Sequence, residues 1–113
     1  MSSDEENGQL WTFLVVLPVR TEHREKLWQM LLDLHEHIRG EPGFLNSEFY
    51  EDAADPALIV LRESWQGSLE DLQAQQRRPY RAQYEQALAA ALYAPRRIIM
   101  LKNVITPGRQ AEA

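Results

Sequence analysis

Cysteine is absent from the 113 residues, which excludes disulfides, thiolate nucleophiles and Cys-based zinc sites and favours a reducing, cytoplasmic setting. No apolar run approaches the roughly 20 residues that a membrane-spanning helix needs. The start, MSSDEENGQ, is acidic where a signal peptide would be basic and then apolar. Positive charge is also scarce: Lys and Arg number 12 against 17 Asp and Glu, for a net charge of −5. The pairs Arg77-Arg78 and Arg96-Arg97 are too small to form the basic patch that nucleic acid requires. Neither a nucleic acid nor a membrane is therefore expected as partner. There is no G-x-G-x-x-G, P-loop, H-E-x-x-H or G-x-S-x-G, and no repeat or low-complexity tract. What remains is one domain over 10–106, between a disordered acidic tail at 1–9 and a loose C-terminal tail at 107–113.

The apolar spacing supplies the elements. Leu10 to Leu17 is rich in β-formers and apolar at nearly every position, so it reads as a strand covered on both faces, ended by Pro18. From Thr21, an N-cap candidate, Leu27, Leu31, Leu34 and Ile38 form one helical stripe, with Gly40 as a C′ residue and Pro42 beyond. Phe44 to Glu51 alternates as Phe44/Asn46/Glu48/Tyr50 against Leu45/Ser47/Phe49. The loop Asp52 to Pro56 joins it to a third strand, Ala57 to Trp65, as a hairpin. Ser68-Leu69-Glu70-Asp71 resembles a capping box, so a short helix starts there. Pro79 then opens another helix with Tyr80, Tyr84, Leu88 and Ala91 as its stripe. Ile98 to Ile105 is the last strand.

The order β-α-β-β-α-α-β predicts an α+β, ferredoxin-like split β-α-β sandwich, with an antiparallel sheet and its helices on one face. The first and last strands are apolar on both faces, whereas a sheet with one wet side shows polar alternation. A second copy packed sheet to sheet is the simplest cover, which points to a homodimer.

The stretch IRGEPGFLNSEFYEDAADPALIVLRESWQGSLEDLQAQ resembles the antibiotic biosynthesis monooxygenase family of dimeric α+β barrels. The shared features are an Arg before E-P-G-F-L, an E-D-x-x-D-P loop, and E-x-W followed by S-x-E-x-L. The resemblance implies a small-molecule pocket in each protomer between sheet and helices. It also implies oxygenation of phenolic or quinol-type compounds without flavin, haem or metal. Many members carry L-x-A-H-x-x-x-P-H where this chain has Leu72-Gln73-Ala74-Gln75-Gln76-Arg77-Arg78-Pro79-Tyr80. Both histidines are thus replaced, by Gln75, which does not titrate, and by Tyr80, with an ordinary pKa near 10. A haem-degrading branch is similar to this chain only at Trp65, and its first-strand Asn is replaced by an apolar residue near Val15.

Cofactor-free oxygenation asks for a base, a stabiliser of the resulting anion and a dry pocket, and the chain has candidates for each. Glu63, Tyr80 and Arg81 are the catalytic candidates: Glu63 as a base whose pKa burial would raise, Tyr80 and Arg81 as stabilisers of a phenolate. Trp65, Tyr84, His35 and Gln75 are the substrate-binding candidates, Trp65 by stacking on an aromatic ring. His35 lies on the flank of the first helix stripe, near Trp28 and Leu32. Each has a plainer explanation: packing for Trp65, a structural ion pair for Glu63, an amphipathic core edge for the tyrosines, and an exposed charged run, His35-Glu36-His37, for the histidine. Metal binding by that run is excluded, because residues two apart on a helix point about 200° from one another. No cofactor and no metal is expected. Two functions follow: a cofactor-independent monooxygenase acting with O2 on an aromatic or quinol-type small molecule, or a non-catalytic dimeric barrel that binds a small hydrophobic ligand.

Overall fold

The computed structural model describes residues 9–108. The acidic segment before Gln9 and the residues after Gly108 lie outside them. Four strands and three helices form in the order β1 (Leu10–Pro18), α1 (Arg24–Ile38), β2 (Phe44–Glu51), β3 (Leu58–Gln66), α2 (Leu69–Gln75), α3 (Arg81–Ala91) and β4 (Arg97–Lys102). The strands make one antiparallel sheet in the order β2-β3-β1-β4. This is the α+β, ferredoxin-like fold, with β1 and β3 central because both are apolar enough to be paired on either side.

Several boundaries differ from the sequence expectation for local reasons. The chain enters α1 through a 3-10 turn over Thr21–His23, and no side chain caps either start. Gly40 ends α1 by donating to the His37 carbonyl without a positive φ, so it is not a left-handed cap. β4 ends at Lys102, paired with Trp11 of β1, rather than at Ile105. The expected cap of α2 forms: the Ser68 hydroxyl accepts from the Asp71 amide at 3.1 Å. Asp52 turns the β2–β3 hairpin, its carboxylate accepting from the amides of Ala54 and Asp55.

A bulge in β2 changes the faces of the sheet. Phe44 pairs with Trp65 and Asn46 with Ser64, so Leu45 is the extra residue. Phe44 is thereby turned to the side of Ser47 and Phe49 rather than that of Tyr50, and its ring meets Trp65 edge-on at 5.3 Å. Two glycines serve this corner. A Cβ on Gly43 would come within 2.5 Å of the Gln66 carbonyl, and Gly67 has φ +145° where β3 turns into α2.

The helices cover one face. Leu17 and Ile59 from the sheet and Leu27, Leu31 and Ile38 from α1 are fully buried there. On the other face, Leu14, Val16, Val60 and Ile99 remain half-buried and Leu101 exposed, with no element of the described residues over them.

Candidate functional site

Glu63 stands in the middle of the covered face, in register with Phe13 of β1 and Ser47 of β2. Strand alternation places Leu61 and Trp65 on the same side, so the carboxylate points at α1 among apolar groups. Its partner there is His35, whose Nε2 lies 3.2 Å from Oε2 of Glu63. The Trp65 indole N–H donates to Oε1 at 3.1 Å. His35 is 9 % exposed, and its ring meets Phe49 edge-on at 4.9 Å. Nδ1 of His35 is 2.9 Å from the Leu31 carbonyl. A carbonyl can only accept, so Nδ1 carries a proton and Nε2 is the nitrogen that faces Glu63. Nε2 makes no hydrogen bond among the described residues, and the contact is an ion-pair approach. His35 is one turn from Leu31, on the buried stripe, while Leu32, its expected neighbour, is exposed.

Burial pushes Glu63 up, but the close His35 contact and the Trp65 hydrogen bond, with the charge of Arg81, outweigh it and hold the carboxyl below its ordinary 4.5. The expected upward shift is thus reversed. Desolvation was the correct largest effect, but the partners that reverse it come from α1 and from two residues along β3, and only the fold reveals them.

Beside the pair lies a cavity of about 220 Å³ between sheet and helices. Apolar walls come from Phe13, Val15, Leu31 and Leu61, and polar groups from His35, Glu63, Arg81 and Tyr84. Arg81 begins α3, and its Nη2 donates to Oε1 of the buried Gln75 at 2.8 Å, a bond that fixes the guanidinium plane. Its Nε is buried without a partner, and no carboxylate of the described residues lies within ion-pairing distance. Tyr84, also buried, has its phenol pushed well above the ordinary range by burial and stays a neutral hydrogen-bond donor at physiological pH.

Trp65 and Gln75 sit differently. Each bonds a residue of the cavity wall, but both line a second cleft of about 350 Å³ beyond it, bounded by Gly43, Gly67 and Leu72. Trp65, at 1 % exposure, is a partition between the two spaces. Tyr80 is not on the cavity wall. It is the N-cap residue of α3, and its hydroxyl donates to Oε2 of Glu41 at 2.8 Å while its ring stacks on His37. Burial and the Glu41 bond push its phenol up to about 12. Glu41 in turn is held below its ordinary range chiefly by the Arg78 hydrogen bond. The stripe of Tyr80 and Tyr84 thus holds in part: Tyr84 is buried, and Tyr80, just before α3, packs against the core while its hydroxyl is drawn to Glu41.

Sequence reasoning missed Arg96 and Glu85, which meet at the cavity wall as a two-bond pair of 2.8 and 2.9 Å. It also missed Ser47, whose buried hydroxyl has no partner opposite Glu63. Nothing in their spacing marks them, since they reach the site from separate elements. No group of three or more His, Cys, Asp or Glu suited to a metal occurs among the described residues. Nor is any helix there long and apolar enough to cross a membrane.

The family model described as antibiotic biosynthesis monooxygenase matches residues 12–91. Among solved structures, a conserved protein from Methanosarcina mazei Go1 is similar at TM-score 0.79 and 15% identity, covering 88% of this chain and 97% of its own. A protein from Mycobacterium tuberculosis is similar at TM-score 0.77 and 20% identity, covering 88% and 99%. A mutant of SnoaB, a cofactor-independent oxygenase from Streptomyces nogalater, is similar at TM-score 0.76 and 14% identity, covering 87% and 96%. No curated protein matches the sequence.

Proposed function

Because the chain belongs to the antibiotic biosynthesis monooxygenase family, we propose that it is a cofactor-independent oxygenase that takes an aromatic, quinol-type small molecule into the cavity beside Glu63. The observation that carries this reading is the juxtaposition of a cavity of about 220 Å³ with a buried, ionised carboxylate and its histidine partner. SnoaB, a cofactor-independent oxygenase of similar fold, supports it.

In this reading the free lone pairs of Glu63 accept a proton from an acidic C–H or O–H of the substrate. A ligand that displaces water strengthens the carboxylate as a base, since desolvation disfavours its charge. The Tyr84 hydroxyl stabilises the negative charge left on the substrate oxygen, while Arg81 holds the substrate in place. The anion gives one electron to O2, and the substrate radical and superoxide then combine in a C–O bond. Loss of water from the resulting peroxide converts a ring CH2 into a carbonyl, so that one oxygen atom enters the product and the other leaves in water. Trp65 and Gln75 act as positioning residues by holding Glu63 and Arg81. A second copy over Leu14, Val16 and Val60 completes the homodimer, and the cysteine-free chain works in the cytoplasm.

The test is quinone formation from dihydroanthracenones in air, followed over the spontaneous rate. Glu63→Gln is expected to lower the catalysed part by about 10²-fold or more. A rate at background for the unaltered protein across such substrates ends the oxygenase reading. It leaves the second one, a barrel that binds a small hydrophobic ligand without catalysis. That alternative is favoured by the lowered pKa of Glu63 and by Gln75 and Tyr80 standing where many relatives have histidines.

A further inference from the structure

Arg81 carries an inference about what the cavity holds, and it rests on the reading of that cavity as the ligand site. A dehydrated guanidinium N–H without an acceptor is costly to leave unmet. Here Nε of Arg81 is buried and unpartnered, while Gln75 takes one N–H of the fork and so sets its plane. The other charges around the cavity are spoken for. Glu63 faces His35, and Glu85 faces Arg96 through two bonds. Among the described residues Arg81 is thus the arginine of the wall with no carboxylate in direct contact, Glu63 acting on it only at longer range.

We propose that Arg81 is a specificity-determining residue that receives the carboxylate of a planar aromatic acid inside the cavity. A carboxylate rather than a phenol fits for two reasons. Two oxygens match the planar fork of a guanidinium, and an ordinary phenol near pKa 10 carries no charge at neutral pH. The space of about 220 Å³ is below the ~300 Å³ at which drug-sized sites begin, so the acid has one or two rings. With its carboxylate on Arg81, the ring lies against Phe13, Val15 and Leu61, and its far edge reaches the Glu63–His35 pair.

The experiment compares 2-naphthoate with 2-naphthamide, which share a shape and differ in charge, by calorimetry on the full chain at pH 7.5. The naphthoate is expected to bind the unaltered protein at least ~10-fold more tightly than the amide, as a charge-assisted hydrogen bond implies. Arg81→Gln should bring the two within about twofold of each other. Arg81→Lys should keep part of the preference, because the charge remains and the fork does not. Equal affinities for the unaltered protein, no binding of either compound, or a preference that survives Arg81→Gln overturns the assignment. Should Arg81→Gln fail to fold, the comparison on the unaltered protein with Arg81→Lys decides. Oxygen chemistry plays no part in these titrations. A preference without turnover would end the oxygenase reading alone, and turnover without a preference would end this one alone.

Discussion

The two faces of the sheet are built from alternate residues of the same strands, and they differ in what closes them. On one side Phe13, Leu17, Ile59 and Leu61 are sealed by the chain's own helices. There an ionised Glu63 is accommodated because His35 and Trp65 meet it. On the other side Leu14, Val16, Val60 and Ile99 are nearly as apolar, yet nothing among the described residues lies over them. The ion pair on that side, Arg62 with Glu48, is exposed, the kind that contributes at most about 1 kcal/mol. Apolarity alone thus does not decide whether a face becomes core; the helices available to cover it do.

The difference can be broken at matched positions. Leu17→Ala, at a fully buried site, is expected to cost about 2–5 kcal/mol in urea denaturation and to leave the oligomeric state alone. Its neighbour Val16, one residue along and on the open face, should behave in the opposite way. Val16→Glu is expected to keep the fold by circular dichroism while sedimentation changes from dimer to monomer, a burial of unpaired charge that a sheet-to-sheet interface cannot tolerate. Finding the unaltered chain monomeric at micromolar concentration would remove the second copy from the open face.

Acidity sharpens the covered side. Glu63 has a folded pKa below its ordinary 4.5, so its stabilising contribution is fully present above about that pH. It is lost as pH falls through the folded value. Chemical denaturation of the unaltered protein and Glu63→Gln should therefore show a stability gap that narrows as pH falls below about 4.5. A gap that widens on acidification would mean that burial outweighs the partners. The smallest effect is expected at the rim: Tyr80→Phe removes the bond to Glu41 and should cost about 0.5–1.5 kcal/mol. In an active enzyme it should leave turnover unchanged, since Tyr80 is off the cavity wall.

The element order, the antiparallel sheet, the family and the Ser68 cap were all legible in the linear chain. Each depends on residues close in sequence: period-two and helical spacing, Pro and Gly positions, and short motifs around Glu63 and Trp65. The faces of β2 were not, because whether Leu45 or Phe44 is the extra residue depends on which side chain packs against Trp65 across the strand. His35, Glu63, Arg81 and Tyr84 were nominated one at a time, and the fold brings them around one cavity. It sends Tyr80 to Glu41 instead, across 39 positions of chain.

What the sequence determined by itself, then, was the set of apolar stripes and the turns between them, since burial of apolar surface is patterned by local geometry. The tertiary structure alone decided the charge of Glu63, the partition made by Trp65 and the unmatched guanidinium of Arg81. Electrostatic character is set by whichever groups meet within a few ångströms, and here they come from α1, β3, α2 and α3, far apart along the chain.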